Sequence, residues 1–434
     1  MAGGASGVRA AASAARHHAR RTLSFASISI LTQVVAFLSG LIVVRVLDKP
    51  EYALYGIAIS TVAAAAVMSD SGIRSTLLAA VGRVQLDGTP MAPHFRAAMH
   101  ARRIMVLLSL PVLAALTLFL LLSNGSPSAQ ALLIVALVAV AVVADTRSTL
   151  LFVSLQVWNR TTTLQVIQLV AAAARLAVLV ALWAVPVEWV PAFLAVQAGV
   201  SIAQLWATRR ITAPLLTEPE PDSDLPHTAS GAPYRSALSH TVPKNLLSVA
   251  APQLVNLVLT MAGNTAAIAE IAALSRFAMV FVVVQQVADS IVAPAVARSA
   301  PTRSATSRAA RIVISVYLFG VIAFVLMLWW FSDLALSLLG PGYEGLDIEL
   351  VLIATGFGLT SLANYGLGSI NHARGWTRHG WTYVPLFFLW AGITLLTVDI
   401  TTSVGAATMY ATMALVPLAS QVLRYFVGLR ELEP

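Results

Sequence analysis

Long apolar runs separated by short polar connections make up most of this chain. Twelve of these runs are about 20 residues long, the length of helix that crosses roughly 30 Å of hydrocarbon. Because every backbone N–H and C=O needs a partner inside lipid, such runs are predicted to be helices. The chain is therefore predicted to be an all-α integral membrane protein with about twelve transmembrane helices. The predicted spans are 23–44, 54–73, 104–122, 131–154, 163–184, 188–206, 240–261, 269–292, 312–338, 350–369, 380–398 and 403–426.

One break in composition divides these spans into two sets of six. Residues 211–235 are rich in proline and carry four acidic side chains. Because six is an even number, both sets enter the membrane in the same direction, an arrangement typical of transporters with a site between two bundles. The predicted domains are a basic cytosolic tail (1–22), an N-terminal six-helix bundle (23–206), a cytosolic linker (207–239), a C-terminal six-helix bundle (240–426) and a second cytosolic tail (427–434).

The composition and the distribution of charge agree with a membrane location. Apolar residues make up 58% of the chain and charged residues only 11%, whereas soluble domains carry about 25% charged residues. Arginines concentrate in every second connection, as in 74–103 and 298–311, and are absent from 123–130 and 339–349. By the positive-inside rule both termini are predicted to face the cytoplasm. With 25 arginines to 2 lysines and abundant alanine, we expect a multi-pass protein of a bacterial cytoplasmic (inner) membrane.

The sequence argues against an enzyme. It has no cysteine, which excludes thiol catalysis and cysteine-ligated metals. It shows no acidic or histidine cluster with metal-ligand spacing and no glycine-rich phosphate loop, so no metal and no cofactor is expected. The longest predicted outer loop has about ten residues, which is short for holding catalytic groups over an extracytoplasmic substrate. Transport or a passive structural role remains.

The candidate functional residues are the charges inside the predicted spans. An ionised side chain at the centre of a spanning helix costs about 2.5 to 3.5 kcal/mol on insertion scales, so it must face a partner or a watery cavity. By helix rise, Asp145 and Arg175 lie about 14 and 18 Å deep on adjacent spans, where they could form a structural ion pair. Lys244 and Arg276 could instead reach the headgroups, and Asp289 could balance nearby arginines. The candidates are Asp145, Arg147, Arg175, Lys244, Arg276 and Asp289.

Basic groups outnumber the carboxylates that could neutralise them. Surplus positive charge between two bundles suits an anionic substrate, and arginine forks bind phosphate well. We therefore predict Arg147, Arg175, Lys244 and Arg276 as substrate-binding residues. Asp145 and Asp289 are the candidates for ion coupling.

Several segments also resemble a known family. Val44–Gly56 and Ser69–Ile73 resemble the first outer loop and second span of Wzx-like polysaccharide flippases of the multidrug/oligosaccharidyl-lipid/polysaccharide (MOP) exporter superfamily. Ala272–Arg276 and Ile291–Pro294 are similar to the family's second-half equivalent. Asp48 and Ala53 stand where such proteins usually have glycine, a departure that bears on the substrate more than on the fold.

The resemblance implies a two-lobed exporter that moves a glycan on a polyprenyl diphosphate carrier from the inner to the outer leaflet by alternating access. It also implies lipid contacts and partners such as a polysaccharide polymerase and glycosyltransferases, and no nucleic acid. Two alternatives stay open. A cation or drug antiporter of the MATE type should show carboxylates in its cavity, and a membrane scaffold of a glycan synthesis complex should tolerate neutral substitution of the arginines.

Overall fold

The computed structural model consists of helices, turns and loops, with no strand over the residues that it describes. Ten of the helices are long and apolar enough to cross a membrane. They confirm the predicted all-α membrane fold, and a helix overlaps each of the twelve predicted spans. The described residues are 27–74, 76–77, 92–158, 160–185, 189–216, 232–287, 296, 302–374, 376 and 380–432.

We number the long helices α1 to α12 in the order of the predicted spans. Helix α8 has three segments, because a 3₁₀ turn separates two α-helical parts. Helix α10 contains a π-helical segment, Leu362–Leu367. The helices are α1 (Ser27–Val46), α2 (Lys49–Asp70), α3 (Ala92–Ser123), α4 (Ser128–Val157), α5 (Thr161–Trp183), α6 (Val190–Leu216), α7 (Ala232–Met261), α8 (Thr265–Leu274, Ser275–Ala278, Met279–Val287), α9 (Arg303–Trp330), α10 (Asp347–Ala373), α11 (Tyr383–Thr397) and α12 (Ser403–Arg430).

Two helices fall short of an ordinary membrane span, each for its own reason. Helix α11 has only 15 residues. Helix α7 is long enough but contains Pro243 and Pro252 and carries polar residues such as Gln253 and Asn256. A helix that faces protein or a polar cavity does not need an apolar surface all round, which is why α7 can be this polar. The span count of twelve and the orientation in the membrane stay predictions.

Side-chain caps explain where several helices begin. Asp48 accepts a hydrogen bond from the backbone N–H of the third residue beyond it, and Asn264, Thr302 and Thr402 do the same. Each cap satisfies one of the N–H groups that a helix start leaves without an internal partner. Short capped connections hold successive helices close together.

Helix structure extends into both ends of the predicted linker. Helix α6 continues to Leu216 and α7 begins at Ala232, so helical residues occupy parts of 207–239. The acidic stretch between these two helix ends lies outside the described residues. Helix α12 likewise runs to Arg430, past the predicted end at 426. The bundle boundaries themselves stay a prediction.

Helix α2 is the helix around which the candidate site is built. Its residues Tyr52 to Tyr55 are all buried, which means that neighbours cover this part of the helix on every side. It packs against α3 and α4 from its own half of the chain and against α7 and α8 from the other half. Gly56 permits the closest approach, because a Cβ at this position would lie 2.8 Å from the Cβ of Ala272 on α8.

Charged and polar contacts attach both ends of α2. At its start, Lys49 Nζ lies 2.8 Å from Glu270 Oε1 on α8. At its end, Asp70 Oδ1 lies 3.9 Å from Arg102 Nη2 on α3. The Thr241 hydroxyl of α7 donates to the backbone carbonyl of Ser71. Contacts to both halves of the chain therefore hold the two ends of α2.

Small residues also allow α10 and α12 to pack closely. A Cβ placed on Gly356 would lie 2.7 Å from the backbone Cα of Ala411, and backbone atoms cannot move aside as a flexible side chain can. We therefore expect Gly356→Val to lower the free energy of unfolding by about 1 to 3 kcal/mol through overpacking. Thermal unfolding in detergent measures the loss.

Gly392→Val is the matched control for this prediction. Gly392 lies in α11, and a Cβ there would meet nothing within 4 Å. The control isolates the contact with α12 from the general effect of replacing a helical glycine by a β-branched residue. Equal destabilisation by the two variants would contradict the proposed close packing.

Candidate functional site around Arg276

A cavity of about 350 Å³ lies between α2, α7 and α8. We call it the central pocket. Its polar lining includes Ser60, Gln253, Asn256 and Arg276. Phe357 of α10 and Tyr410 of α12 close one side with aromatic rings. Among the described residues that line it there is no carboxylate, so Arg276 supplies its only formal charge.

A second, apolar cavity of about 760 Å³ lies between α1, α8, α9 and the short helix Ser332–Leu339. We call it the apolar groove. Ile30, Val34, Met327 and Phe331 line it and are exposed at the protein surface, which in a membrane protein faces lipid. Arg276 lines both the central pocket and the apolar groove.

Two buried tyrosines of α2 hold Arg276 in place. Its Nε donates to the Tyr52 hydroxyl at 3.2 Å, and its guanidinium carbon lies 5.8 Å from the centre of the Tyr55 ring. The partners are neutral phenols, and no carboxylate lies within ion-pair distance of Arg276 among the described residues. Arg276 thus gains a hydrogen bond and a cation–π contact while it keeps its positive charge available.

The predicted Arg175 binds one of these two tyrosines. Its Nη2 donates to the Tyr55 hydroxyl at 3.0 Å. The rings of Tyr52 and Tyr55 lie 5.8 Å apart, centre to centre. Arg175 on α5 and Arg276 on α8 are therefore joined through one helix, although they come from opposite halves of the chain.

Asp145 does not form the expected ion pair with Arg175. The Asp145 carboxylate is hydrogen-bonded to the Ser201 hydroxyl on α6. Arg175 is near enough to attract it electrostatically, yet the described residues show no ion pair of the two within 4.0 Å. The depth along each helix brings the two side chains near one another, as expected, while the hydrogen bonds go elsewhere. A role of Asp145 in ion coupling stays a prediction.

The other candidates lie away from the central pocket or cannot be placed. Arg147 is exposed on α4. Lys244 is half-buried in α7, within electrostatic reach of Arg424. Neither is among the residues that line the central pocket. Asp289 lies outside the described residues. Of the four predicted substrate-binding residues, Arg276 lines the central pocket. Arg175 does not line it, and it is linked to Arg276 only through Tyr55.

Polar contacts join the two halves of the chain at the end of the bundle that the arginine pattern predicts to face outward. Glu270 binds Lys49 and also accepts from the Ser403 hydroxyl at 2.7 Å. Arg45 donates to the carbonyls of Ser337 and Leu338, both at 2.9 Å. These contacts join the end of α1 and the start of α2 to the second half of the chain.

Tyr343 is a neighbour of these contacts, with the Lys49 ammonium 5.4 Å from its ring centre. Burial raises the pKa of Tyr343 above its ordinary value, and nearby tyrosine and carboxylate groups add to the effect. The phenol therefore stays neutral at physiological pH and offers Lys49 an aromatic face.

Tyr52 and Tyr55 do not stand out in the sequence as functional residues. Tyrosines are common in helix cores, so each alone indicates packing. Their spacing of three residues is an available signal, because it places both side chains on one face of a helix. A buried tyrosine hydroxyl also needs a hydrogen-bond partner, and the arginines predicted inside other spans are possible donors.

Comparison with known families shows the family of this chain. The sequence profile of a family described as "Polysaccharide biosynthesis protein" matches residues 19–299, which is more than half of the chain. The chain belongs to this family. A comparison with curated proteins finds no match.

Solved structures show which fold this polysaccharide biosynthesis protein adopts. A mutant of the Vibrio cholerae MATE transporter VcmN matches with a TM-score of 0.59 at 15% identity over 94% of this chain and 98% of that chain. An inward-facing MATE family transporter of the MOP superfamily matches with a TM-score of 0.59 at 14% identity over 92% and 94% of the two chains. The eukaryotic MATE transporter AtDTX14 gives 0.58 at 11% identity over 95% and 97%. The fold is therefore that of the MATE transporters.

The sequence profile gives the family, and the solved structures, one of them described as a MATE family transporter of the MOP superfamily, give the fold. This confirms the family and the MATE-like fold class expected from the sequence. The sequence identities are low, so the neighbours inform the fold and not the substrate.

The tyrosine pair generates a prediction about stability. In a Tyr55→Phe variant, Arg175 Nη2 loses its acceptor in an interior that water does not easily reach. We expect the free energy of unfolding to fall by about 1 to 3 kcal/mol, measured by chemical or thermal unfolding in detergent.

Tyr383→Phe serves as the control for Tyr55→Phe. Tyr383 is also buried, and its hydroxyl makes no hydrogen bond within the part of the chain that the structure describes. It should therefore lose little stability. If the two variants are equally stable, the hydrogen bond from Arg175 to Tyr55 contributes nothing measurable.

Proposed function

We propose that this protein flips a polyprenyl-diphosphate-linked oligosaccharide from the inner to the outer leaflet of the bacterial cytoplasmic membrane, for surface polysaccharide biosynthesis. Membership of the polysaccharide biosynthesis family supports the glycan. The observation that carries the proposal is the position of Arg276 between a polar pocket and an apolar groove. A lipid-linked glycan has the same order of parts, with a charged phosphate between sugar and lipid.

The charge of the site fits a diphosphate. Holding an uncompensated guanidinium inside a membrane protein is costly, and an anionic ligand removes that cost. Arginine binds phosphate oxygens through two parallel N–H···O bonds. Tyr52 and Tyr55 are the hydrogen-bond partners of Arg276, which leaves further guanidinium N–H groups to bind a phosphate. The diphosphate therefore binds at Arg276.

The two cavities receive the remaining parts of the substrate. The apolar groove is lined by aliphatic and aromatic side chains and is open toward lipid, so the polyprenyl tail can stay in contact with the membrane while the headgroup crosses. The central pocket holds hydroxyl and amide groups that suit a sugar. Neither part then crosses an environment of the wrong polarity.

The lining of the pocket also distinguishes this proposal from cation or drug antiport. An antiporter for cations needs carboxylates that bind the cargo or exchange it for protons. No carboxylate lines the central pocket within the described ranges. The pocket is therefore suited to an anion, even though MATE transporters share the fold.

The other charged residues predicted inside the spans also have roles in the proposed transport. Arg175, Arg147 and Lys244 supply further positive charge for the diphosphate during the crossing. Asp145 and Asp289 are the carboxylates available for coupling to an ion gradient. A polysaccharide polymerase and glycosyltransferases are the expected partners, because they would consume and supply the lipid-linked glycan.

Replacing Arg276 tests the proposed function directly. In vesicles that contain the purified protein and a fluorescent polyprenyl-diphosphate-linked oligosaccharide, Arg276→Ala should slow flipping roughly 10- to 100-fold, since one or more charge-assisted hydrogen bonds are lost. Arg276→Lys should retain part of the rate, because lysine keeps the charge but not the fork.

Arg210→Ala is the control, because Arg210 is an exposed arginine of α6 that stacks on Trp206 at 3.8 Å and does not line the pocket. It should flip the substrate at the rate of the unmodified protein. Flipping by Arg276→Ala at that same rate would rule out the proposed phosphate site.

Alternating access requires α2 and α8 to separate at Gly56 and Ala272. The chain contains no cysteine, so a Gly56→Cys, Ala272→Cys pair would be its only thiols. The close approach of these positions favours a disulfide after a small adjustment, since bridged Cβ atoms lie about 3.5 to 4.5 Å apart. We expect oxidation to stop flipping and reduction to restore it.

The two single-cysteine variants control for the substitutions themselves. They should be insensitive to oxidant at every stage of the assay. Continued flipping by a fully cross-linked protein would show that these two helices do not separate during transport.

A further inference from the structure

A small polar cluster in the central pocket has hydrogen-bonding capacity that the protein itself does not use. The cluster consists of Ser60 on α2 and of Gln253 and Asn256 on α7. Gln253 and Asn256 lie three residues apart, which places both amides on the same face of α7. This face is turned toward the pocket, which both residues line.

Ser60 already makes all the hydrogen bonds that its hydroxyl can make. Its Oγ donates to the Ile57 carbonyl at 2.8 Å. It accepts from Gln253 Nε2 at 3.3 Å and from Asn256 Nδ2 at 3.2 Å. One donated and two accepted bonds fill the capacity of a hydroxyl group. The shared serine therefore orients both amides and turns their carbonyl oxygens away from itself.

These carbonyl oxygens remain without partners inside the pocket. Gln253 is only 4% exposed, and its Oε1 is buried with no hydrogen bond. Asn256 Oδ1 likewise makes no hydrogen bond to any described residue. A buried carbonyl oxygen without a donor destabilises the protein until a ligand or water supplies an O–H or N–H group.

These acceptors can bind the sugar of an anionic glycolipid but not its phosphate. A phosphate group that has lost its protons has only acceptor oxygens, so it cannot bind to amide carbonyls. A sugar hydroxyl can donate to them. Arg276 provides only donors, which match the acceptor oxygens of the phosphate.

Two aromatic rings that line the pocket also suit a sugar. The rings of Phe357 and Tyr410 lie 5.4 Å apart, centre to centre, and are inclined at 42°. Their faces provide an apolar surface against which the C–H bonds of a sugar ring can pack. The pocket volume of about 350 Å³ is at the lower end of the roughly 300 to 1,000 Å³ that small-molecule sites occupy, which limits it to about one or two sugar rings.

We propose that Gln253 and Asn256, oriented by Ser60 and facing Phe357 and Tyr410, form a binding subsite for the uncharged sugar attached directly to the diphosphate. This inference rests on the proposed function, because it assumes that the diphosphate binds at Arg276. It adds a determinant of specificity. The protein recognises the first sugar of the glycan through donated hydroxyl hydrogens, and the later sugars extend beyond the pocket.

Binding of lipids with and without a sugar tests the subsite. The purified protein in lipid nanodiscs is titrated with bare polyprenyl diphosphate and with the same lipid carrying one neutral hexose or N-acetylhexosamine, taken from a panel. We expect at least one sugar-bearing lipid to bind roughly tenfold more tightly than the bare lipid. Gln253→Leu and Asn256→Leu should each remove this gain and leave binding of the bare lipid unchanged.

Gln165→Leu provides the matched control. Gln165 is a buried glutamine of α5 whose Oε1 also has no hydrogen bond, but it does not line the central pocket. This variant should keep the gain in affinity. Unchanged binding of the bare lipid also shows that each pocket variant is folded.

The possible results separate the subsite from the proposed function. If the unmodified protein binds bare and sugar-bearing lipids equally, or if both pocket variants keep the gain, the subsite is wrong while the diphosphate site stands. If the unmodified protein binds neither lipid, the proposed function fails and the subsite with it. Arg276→Ala should weaken the binding of both lipids, which identifies the phosphate contact independently of the sugar.

Discussion

The contact of Arg175 and Arg276 with one pair of tyrosines is the interaction on which the candidate site depends. Two guanidinium groups in the interior of a membrane protein would each be expected to need a counter-ion. Here the hydroxyls of Tyr52 and Tyr55 supply hydrogen bonds instead. The phenols accept hydrogen bonds from both guanidinium groups without cancelling their charge, although Arg175 Nε stays buried without a partner. A carboxylate in the same place would have stabilised the arginines better and removed their value for binding an anion.

The fold was largely predictable, because the bilayer imposes a simple rule on backbone polarity and length. The polar helix α7 was still recognisable from its apolar run at 240–261, even though Pro243, Gln253 and Asn256 reduce its hydropathy. The site was predictable only in part. The presence of Arg175 and Arg276 inside spans showed that each needs a partner, but the partner comes from residues far along the chain. The rise per residue predicts that Asp145 and Arg175 lie at similar depths in the membrane. Depth does not determine the direction in which a side chain points, and Asp145 is hydrogen-bonded to Ser201 instead.

Fold and chemistry carry separate information in this protein. The helical architecture is shared with MATE transporters over nearly the whole chain, whereas the lining of the central pocket depends on individual side chains. One arginine, a few amides and hydroxyls, and an adjoining apolar groove are the features on which the proposed cargo rests. The shared fold by itself does not determine the substrate.

The first half of helix α2 has no face that is left to lipid. Most helices of a membrane protein can accumulate apolar substitutions on their outer surface at little cost, because the hydrocarbon accommodates any shape. Along 52–58, in contrast, neighbours from both halves of the chain cover the helix, and Tyr52, Tyr55 and Gly56 lie on one face of it. A change there alters either the support of the arginines or the distance between the halves. This segment should therefore diverge most slowly when the chain is compared with its homologues, and slower divergence here would reflect geometry as much as substrate.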